Sequence, residues 1–288
     1  EIRNCDWSSD VCSSDLNRLA EAEPLMRRAL AISEASYGPE HPDVARDLNN
    51  LAQLLQATNR LAEAEPLMRR ALAIDEASYG PEHPNVARDL NNLALLLLAT
   101  NRLSEAEPLM RRALAIAIAC YGPDHRNVAT SLNSLAGLLQ ATNRLTEAEP
   151  LMRRALAIDE VSHGPVHPKV AIRLNNLARL LQDTNRLAEA EPLMRRAVEI
   201  VEISYGTDHP NVATSLNNLA RILKASNRLS EAESLCNRAL LIFLAFSKQG
   251  FEHPNQQKTV QNFRELHQAM GLSEEAIQTK LNTLQQPT

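Results

Sequence analysis

The sequence predicts an all-α fold built from stacked helix pairs, and three observations carry that expectation. The triplet Asn-Arg-Leu begins at Asn17, Asn59, Asn101, Asn143, Asn185 and Asn227, each start 42 residues after the last. A fixed period of this size marks supersecondary units that bury their apolar faces against one another. Within a unit the apolar residues fall at helical spacing, as in Val44, Leu48, Leu51, Ala52 and Leu55. Hydrophobic residues make up 44% of the 288, yet aromatics only 3%, and the Ala and Leu that dominate suit close-packed helices better than sheets.

Residues 1–16 match no other unit. Their two Ser-Ser-Asp copies and the abrupt entry into register at Asn17 resemble translated adaptor sequence. This segment, with Trp7, is expected to be foreign or disordered and is set aside. Residues 17–247 form the repeat array: half a unit, then five full units at roughly 43–79, 85–121, 127–163, 169–205 and 211–247.

Each full unit reads as two helices. Helix A of the first spans Asp43 to Ala57. Thr58-Asn59-Arg60 is expected to supply capping side chains for helix B, whose stripe is Leu61, Ala64, Met68, Ala71 and Leu72. On the outer face of helix B, Glu65 and Arg69 sit four apart, as do Glu107 and Arg111, Glu149 and Arg153, and Glu191 and Arg195. Each pair is worth a few tenths of a kcal/mol. Pro66, Pro108, Pro150 and Pro192 are expected near the first turn of helix B, where a missing amide donor costs least. Tyr79-Gly80-Pro81-Glu82-His83-Pro84 ends the unit, with Gly80 as C-cap and two prolines that forbid continuation. Residues 248–288 are expected to be C-terminal capping helices. Val260, Phe263, Leu266 and Met270 give a thinner stripe ending at Gly271, and a second helix runs from the capping Ser273 to about Gln285.

The net charge of −5 and pI near 5.9 supply no global attraction to nucleic acid or to anionic membrane. Neither is expected as a partner. Cys5, Cys12, Cys120 and Cys236 are too few and scattered to staple the chain, and no run reaches the roughly 18 apolar residues of a membrane span. A soluble cytoplasmic protein is the expectation.

The spacing Leu90-x-x-Leu93-Ala94-x-x-Leu97, then Ala106-x-x-x-Met110 and a proline after the second helix, resembles the tetratricopeptide pattern, with Leu replacing the usual large aromatics. The 42-residue length also fits HEAT and armadillo repeats, but the placement of small residues favours the tetratricopeptide. More narrowly, Leu-Asn-Asn-Leu-Ala, Glu-Ala-Glu-Pro-Leu, Arg-Arg-Ala-Leu-Ala-Ile and Tyr-Gly-Pro-Glu-His-Pro-Asn-Val-Ala resemble the repeats of kinesin light chains and their bacterial relatives over about residues 17–247. The resemblance implies a right-handed α-solenoid whose inner groove, lined by helices A, binds extended peptide segments. The heptad region that docks a kinesin heavy chain has no counterpart, so motor association is not implied.

No motif for catalysis stands out: there is no Gly-rich phosphate loop, nucleophile elbow or paired-carboxylate site, and no cofactor is expected. His41, His83, His125, His167, His209 and His253 recur with the unit, all but His125 directly before proline, and read as local hydrogen-bonding partners rather than as metal ligands. His163 with His167 is the one close pair. Cys120 and Cys236 are expected to be small apolar fillers on helix B.

Opposite the stripe that meets helix B lies a face with Asn at one position of every unit: Asn49, Asn91, Asn133, Asn175 and Asn217. Asn costs about 0.6 kcal/mol relative to Ala in a helix, so five in a row fit poorly with a surface chosen for stability alone. A side-chain amide can pair with peptide backbone of any sequence, and the resemblance implies that role at these positions. Neighbouring Asn50, Asn92, Asn176 and Asn218 either share the role or bridge adjacent units. Other positions on this face vary. Arg46 and Arg88 lie early, Leu95, Leu98 and Gly137 in the middle, and Arg179, Arg221 and Lys224 late, with Asp183 partly offsetting them. The expected ligand is an extended protein or peptide segment with an apolar anchor and acidic residues. The rival expectation is an architectural or sensor arm of a larger signalling protein, self-associating through the uncovered N-terminal half unit around Leu19, Ala22, Met26 and Leu30.

Overall fold

A computed structural model describes residues 13–248 and 253–285, with side chains from residue 21 onward except those of Pro254 and Gln285. The expected foreign character of residues 1–16 falls almost wholly outside the described residues, as do Cys5 and Cys12. The described residues form thirteen helices and no strand. After α1 (Ser13–Tyr37), the helices alternate between 16 and 19 residues until the last, which has 12. Helices A are α2 (Pro42–Ala57), α4 (Pro84–Ala99), α6 (Arg126–Ala141), α8 (Pro168–Asp183) and α10 (Pro210–Ala225). Helices B are α3 (Leu61–Tyr79), α5 (Leu103–Tyr121), α7 (Leu145–His163), α9 (Leu187–Tyr205) and α11 (Leu229–Ser247), and α12 (Pro254–Ala269) with α13 (Glu274–Gln285) closes the chain. The chain divides into two compact units whose main segments are Asp15–Ile158 and Asp159–Thr288.

In the first unit the core is a series of small clusters, each made by the start of a helix A and the middle of its own helix B. Val44, Ala45 and Leu48 of α2 meet Ala71 and Ile74 of α3, with Leu30 and Leu67 at the margin. Val86, Ala87 and Leu90 of α4 meet Ala113 and Ile116 of α5, and Val128, Ala129 and Leu132 of α6 meet Ala155 and Ile158. Every apolar residue expected on the first helix A is at most 1% exposed. A fully buried Leu or Val contributes roughly 1.5–3 kcal/mol, while the buried alanines let the paired helices approach closely. The second unit repeats the arrangement, with Val170, Leu174, Ala197, Ile200, Val212, Leu216, Ala239 and Phe243 buried. At the end of the chain Phe263, Leu266, Ile277 and Leu281 are also buried, and Ser273 Oγ accepts the Ala276 amide at 3.3 Å as the expected cap of α13.

The turn from helix B to the next helix A follows the sequence reading. Gly80 takes φ 86°, and its amide donates to Glu76 O at 3.0 Å. His83 is the N-cap of α4: its Nδ1 accepts the Asn85 amide at 3.2 Å while the ring stacks on Tyr79 with centroids 4.4 Å apart. The same bond recurs at His41, His125, His167, His209 and His253. These histidines are helix caps, as the local hydrogen-bonding reading required.

The turn from helix A to helix B differs from expectation. Thr58, Asn59 and Arg60 do not cap helix B; the N-cap Arg60 makes no side-chain cap bond. Instead they end helix A. Asn59 adopts the left-handed conformation at φ 59°, its amide donates to Gln56 O at 3.0 Å, and the Arg60 amide donates to Leu55 O at 2.8 Å, a Schellman closure. Thr58 Oγ1 donates back to Leu54 O and Leu55 O, both at 3.1 Å. Asn is chosen because its short polar side chain tolerates positive φ. Pro66 also departs slightly from expectation: it is the sixth residue of α3, in the second turn, where it withholds a donor from the exposed Ala62, whose carbonyl can turn to solvent as the helix continues.

The outer pairs form as expected, with Glu65 and Arg69 at 2.8 Å, but they belong to a larger ladder. Arg102, from the Asn-Arg-Leu triplet, reaches Glu65 of the preceding unit at 2.7 Å and Glu105 of its own at 2.6 Å. Arg60, Arg144 and Arg228 repeat this with Glu23, Glu107 and Glu191. In a second row, Arg70, Arg112 and Arg196 pair with Glu34, Glu76 and Glu160. The two cysteines part company. Cys236 is a buried filler as expected, its thiol pushed up to about 12 by burial. Cys120 is exposed, and its thiol donates to Glu82 O at 3.3 Å, because its helix position faces the neighbouring turn rather than the core.

Candidate functional site

Helices A present the asparagine positions, but the amides are wired differently from unit to unit. Asn49 is only 4% exposed, and its Nδ2 donates to Asp89 Oδ1 at 2.8 Å. Asn91 and Asn217 each bury an Oδ1 that has no partner among the described residues. Asn133 is half-buried and engaged. Asn175 Oδ1 accepts Asn218 Nδ2 at 3.0 Å, so Asn218 bridges adjacent units, one of the two roles considered for it.

In the first unit the early arginines of this face are held by their own carboxylates. Arg46 lies 2.7 Å from Asp43, and Arg88 lies 3.0 Å from Asp89 and 3.3 Å from Asp75. Leu95 and Leu98 are half-buried on α4. Gly137 on α6 has open space where a side chain would stand, with no atom within 4 Å of an added Cβ.

In the second unit α8, α10 and α12 together form a recess of about 80 Å³. Asn175 and Arg179 come from α8, Thr214, Asn217 and Arg221 from α10, and Asn255 and Lys258 from α12. Its size suits one side chain. Lys224 lies outside it and is paired with Glu265 at 3.1 Å, a contact that holds the Glu265 carboxyl below its usual range. Asn255 and Lys258 were missed by sequence reasoning because they stand in the capping helices, where the repeat pattern fades; Asn255 Nδ2 donates to Thr214 Oγ1 at 3.3 Å.

The recess holds amides, a hydroxyl and cationic side chains, a set able to bind anions and backbone amides. No group of three metal-ligating side chains occurs among the described residues. The His163 and His167 rings lie 4.6 Å apart, with His163 replacing the tyrosine that stacks on the capping histidine in most other units. Burial holds His167 below the usual imidazole range, helped by His163 and Lys169 and opposed by Asp159. No helix among the described residues is long and apolar enough to cross a membrane.

A tetratricopeptide repeat family model matches five overlapping stretches, residues 11–77, 48–119, 105–160, 127–203 and 169–245. No curated protein matches the sequence. Among solved structures, the nearly identical TPR-like repeats assigned to a kinesin light chain of Podosopora anserina are 27% identical, with a TM-score of 0.60 over 70% of this chain and 96% of that one. BtubC (BKLC) from P. vanneervenii is 23% identical with a TM-score of 0.66, covering 80% of this chain and 91% of its own, and so shares the fold. Aspartyl phosphate phosphatase F from Bacillus subtilis shares it at 12% identity, with a TM-score of 0.61 over 90% of this chain and 68% of that one. The chain therefore belongs to the tetratricopeptide repeat family, with repeats that resemble those of kinesin light chains.

Proposed function

We propose that this chain is a non-catalytic interaction scaffold of the cytoplasm that binds extended peptide segments on the faces presented by its helices A. The observation that carries the reading is the recess in the second unit, where Asn217 buries an unpartnered amide oxygen beside Arg179, Arg221 and Lys258. On binding, the Asn217 amide turns to bring that buried oxygen to a peptide N–H, and an acidic side chain meets the cations. In the first unit Leu95, Leu98 and the gap at Gly137 accept an apolar side chain, whose burial contributes roughly 1.5–3 kcal/mol. Charge at the recess mainly raises the association rate and makes it salt-sensitive. Peptide arrays test the reading. Peptides combining acidic with aromatic or aliphatic residues should bind above basic ones, and Asn217→Ala should weaken them; no preference between the two sets would refute it.

A second reading, an architectural arm that self-associates, is favoured by α1. Met26 is half-buried where Met68, Met110, Met152 and Met194 are at most 2% exposed, and Leu25 and Ile32 are 67% and 54% exposed. On this reading the mass of the chain in solution rises with concentration, and Leu25→Glu with Ile32→Glu abolishes the rise.

A further inference from the structure

Where helix B of one unit meets helix A of the next, one residue late in B faces one in the second turn of A. This pair changes at every junction although the flanking sequence nearly repeats. Ser33 Oγ donates to Asp47 Oδ2 at 2.6 Å. Arg173 Nε donates to Asp159 Oδ2 at 2.7 Å. Ala117 with Ser131, and Val201 with Ser215, hold the equivalent places elsewhere. The junction of α3 with α4 instead brings together two carboxyl groups, Asp75 and Asp89, 1% and 0% exposed.

Their partners are few. Asp89 Oδ1 accepts Asn49 Nδ2 at 2.8 Å and Arg88 Nε at 3.0 Å, and Arg88 Nη2 lies 3.3 Å from Asp75 Oδ2. This leaves Asp75 Oδ1 and Asp89 Oδ2 buried with no partner among the described residues. Two ionised carboxylates with one guanidinium would leave a net negative charge in a dry junction, at high cost. One proton between the two orphaned oxygens removes the charge and satisfies both atoms.

We infer that Asp75 and Asp89 share one proton, and that this proton is a clasp between α3 and α4 whose loss loosens the first unit and the hold on Arg88. The groups acting on the pair are Asn49 from α2, His83 from the turn, and Arg88 from α4. Burial pushes Asp89 up to about 7 against the opposing Arg88, with the charge of Asp75 adding to the rise; burial pushes Asp75 the same way. Because the folded value lies above the unfolded value of about 4, the native state holds the extra proton between these limits. The stabilisation is full at the acid end and lost as pH rises through about 7.

Hydrogen exchange of α3 and α4 amides in the full chain, corrected for intrinsic exchange, tests this between pH 5.5 and 8.5. In the wild type the opening constant should rise with pH, by up to about tenfold per unit, and level off above about 7. Asp89→Asn, which places an amide N–H where the shared proton sits, should flatten the profile and protect α4 better at pH 8. Asp75→Asn should flatten it as well, so either variant suffices if the other fails to fold. Amides of α10 should keep their wild-type profile in both. A flat wild-type profile, or variants that keep its slope, would overturn the proposal.

Discussion

The two units solve the same problem differently. Each buries an aspartate late in a helix B, Asp75 in the first and Asp159 in the second, both 1% exposed. In the second unit the facing residue is Arg173, itself only 9% exposed, and the pair closes at 2.7 Å without drawing on a surface cation. In the first the facing residue is another acid, and the guanidinium that reaches it is that of Arg88, 45% exposed. The difference teaches that an inner-face arginine is not thereby a ligand group. Arg46 and Arg88 are spent on carboxylates of the first unit, while in the second unit the buried aspartate is met by Arg173, which does not line the recess.

The largest expected effect breaks the better-matched junction. Arg173→Met leaves Asp159 buried with only His163 Nδ1 nearby, at 3.6 Å, which should cost about 3–5 kcal/mol in urea unfolding, and Asp159→Leu added to it should recover most of the loss. Next comes a test of what the units share. Asn101 and Asn185 both hold positive φ at the end of a helix A, 59° and 58°. Ala at either should cost about 1–2 kcal/mol, and clearly unequal costs would show that the turns are less alike than their geometry. The smallest effect concerns acid. His167 caps α8 through a neutral Nδ1, and its pKa is depressed by burial first and by His163 second. The fold prefers the neutral ring, so this stabilisation is present above the unfolded value of about 6.5 and lost as pH falls below it. The second unit should therefore weaken toward acid while the Asp75–Asp89 clasp strengthens the first. Thermal unfolding at pH 7.5 and 5.5 should show a smaller acid loss for His167→Asn, which caps without titrating.

Much of the fold was legible because it follows from local rules repeated five times. The apolar stripes fixed helix positions, Gly80 and the prolines fixed the long turn, and a histidine beside proline had few roles but capping. What escaped was of two kinds. Asn59 was read by its side chain, as a cap, when its use lies in its backbone; a polar residue at a helix boundary does not announce which. The other losses were contacts between units. Arg102 with Glu65 is a pair 37 residues apart, and Lys224 with Glu265 one 41 apart. Asp75 and Asp89 looked like ordinary variation, since nothing in the chain says that two positions 14 apart share one dry junction. For the candidate site, the sequence named positions on the helices A but not their wiring: Asn49 and Asn175 proved to be hydrogen-bonded within the protein, and Asn255 and Lys258 entered from the cap.

The most direct test of the central claim, that the recess of the second unit receives acidic peptide, is a fluorescence titration at low salt. An acidic peptide with one aromatic residue should bind the wild type, and Arg179→Glu with Arg221→Glu should weaken it by at least about tenfold, or 1.4 kcal/mol, while Arg46→Glu changes it little. Equal affinity in all three proteins, or tighter binding of a basic peptide to the wild type, would contradict the account.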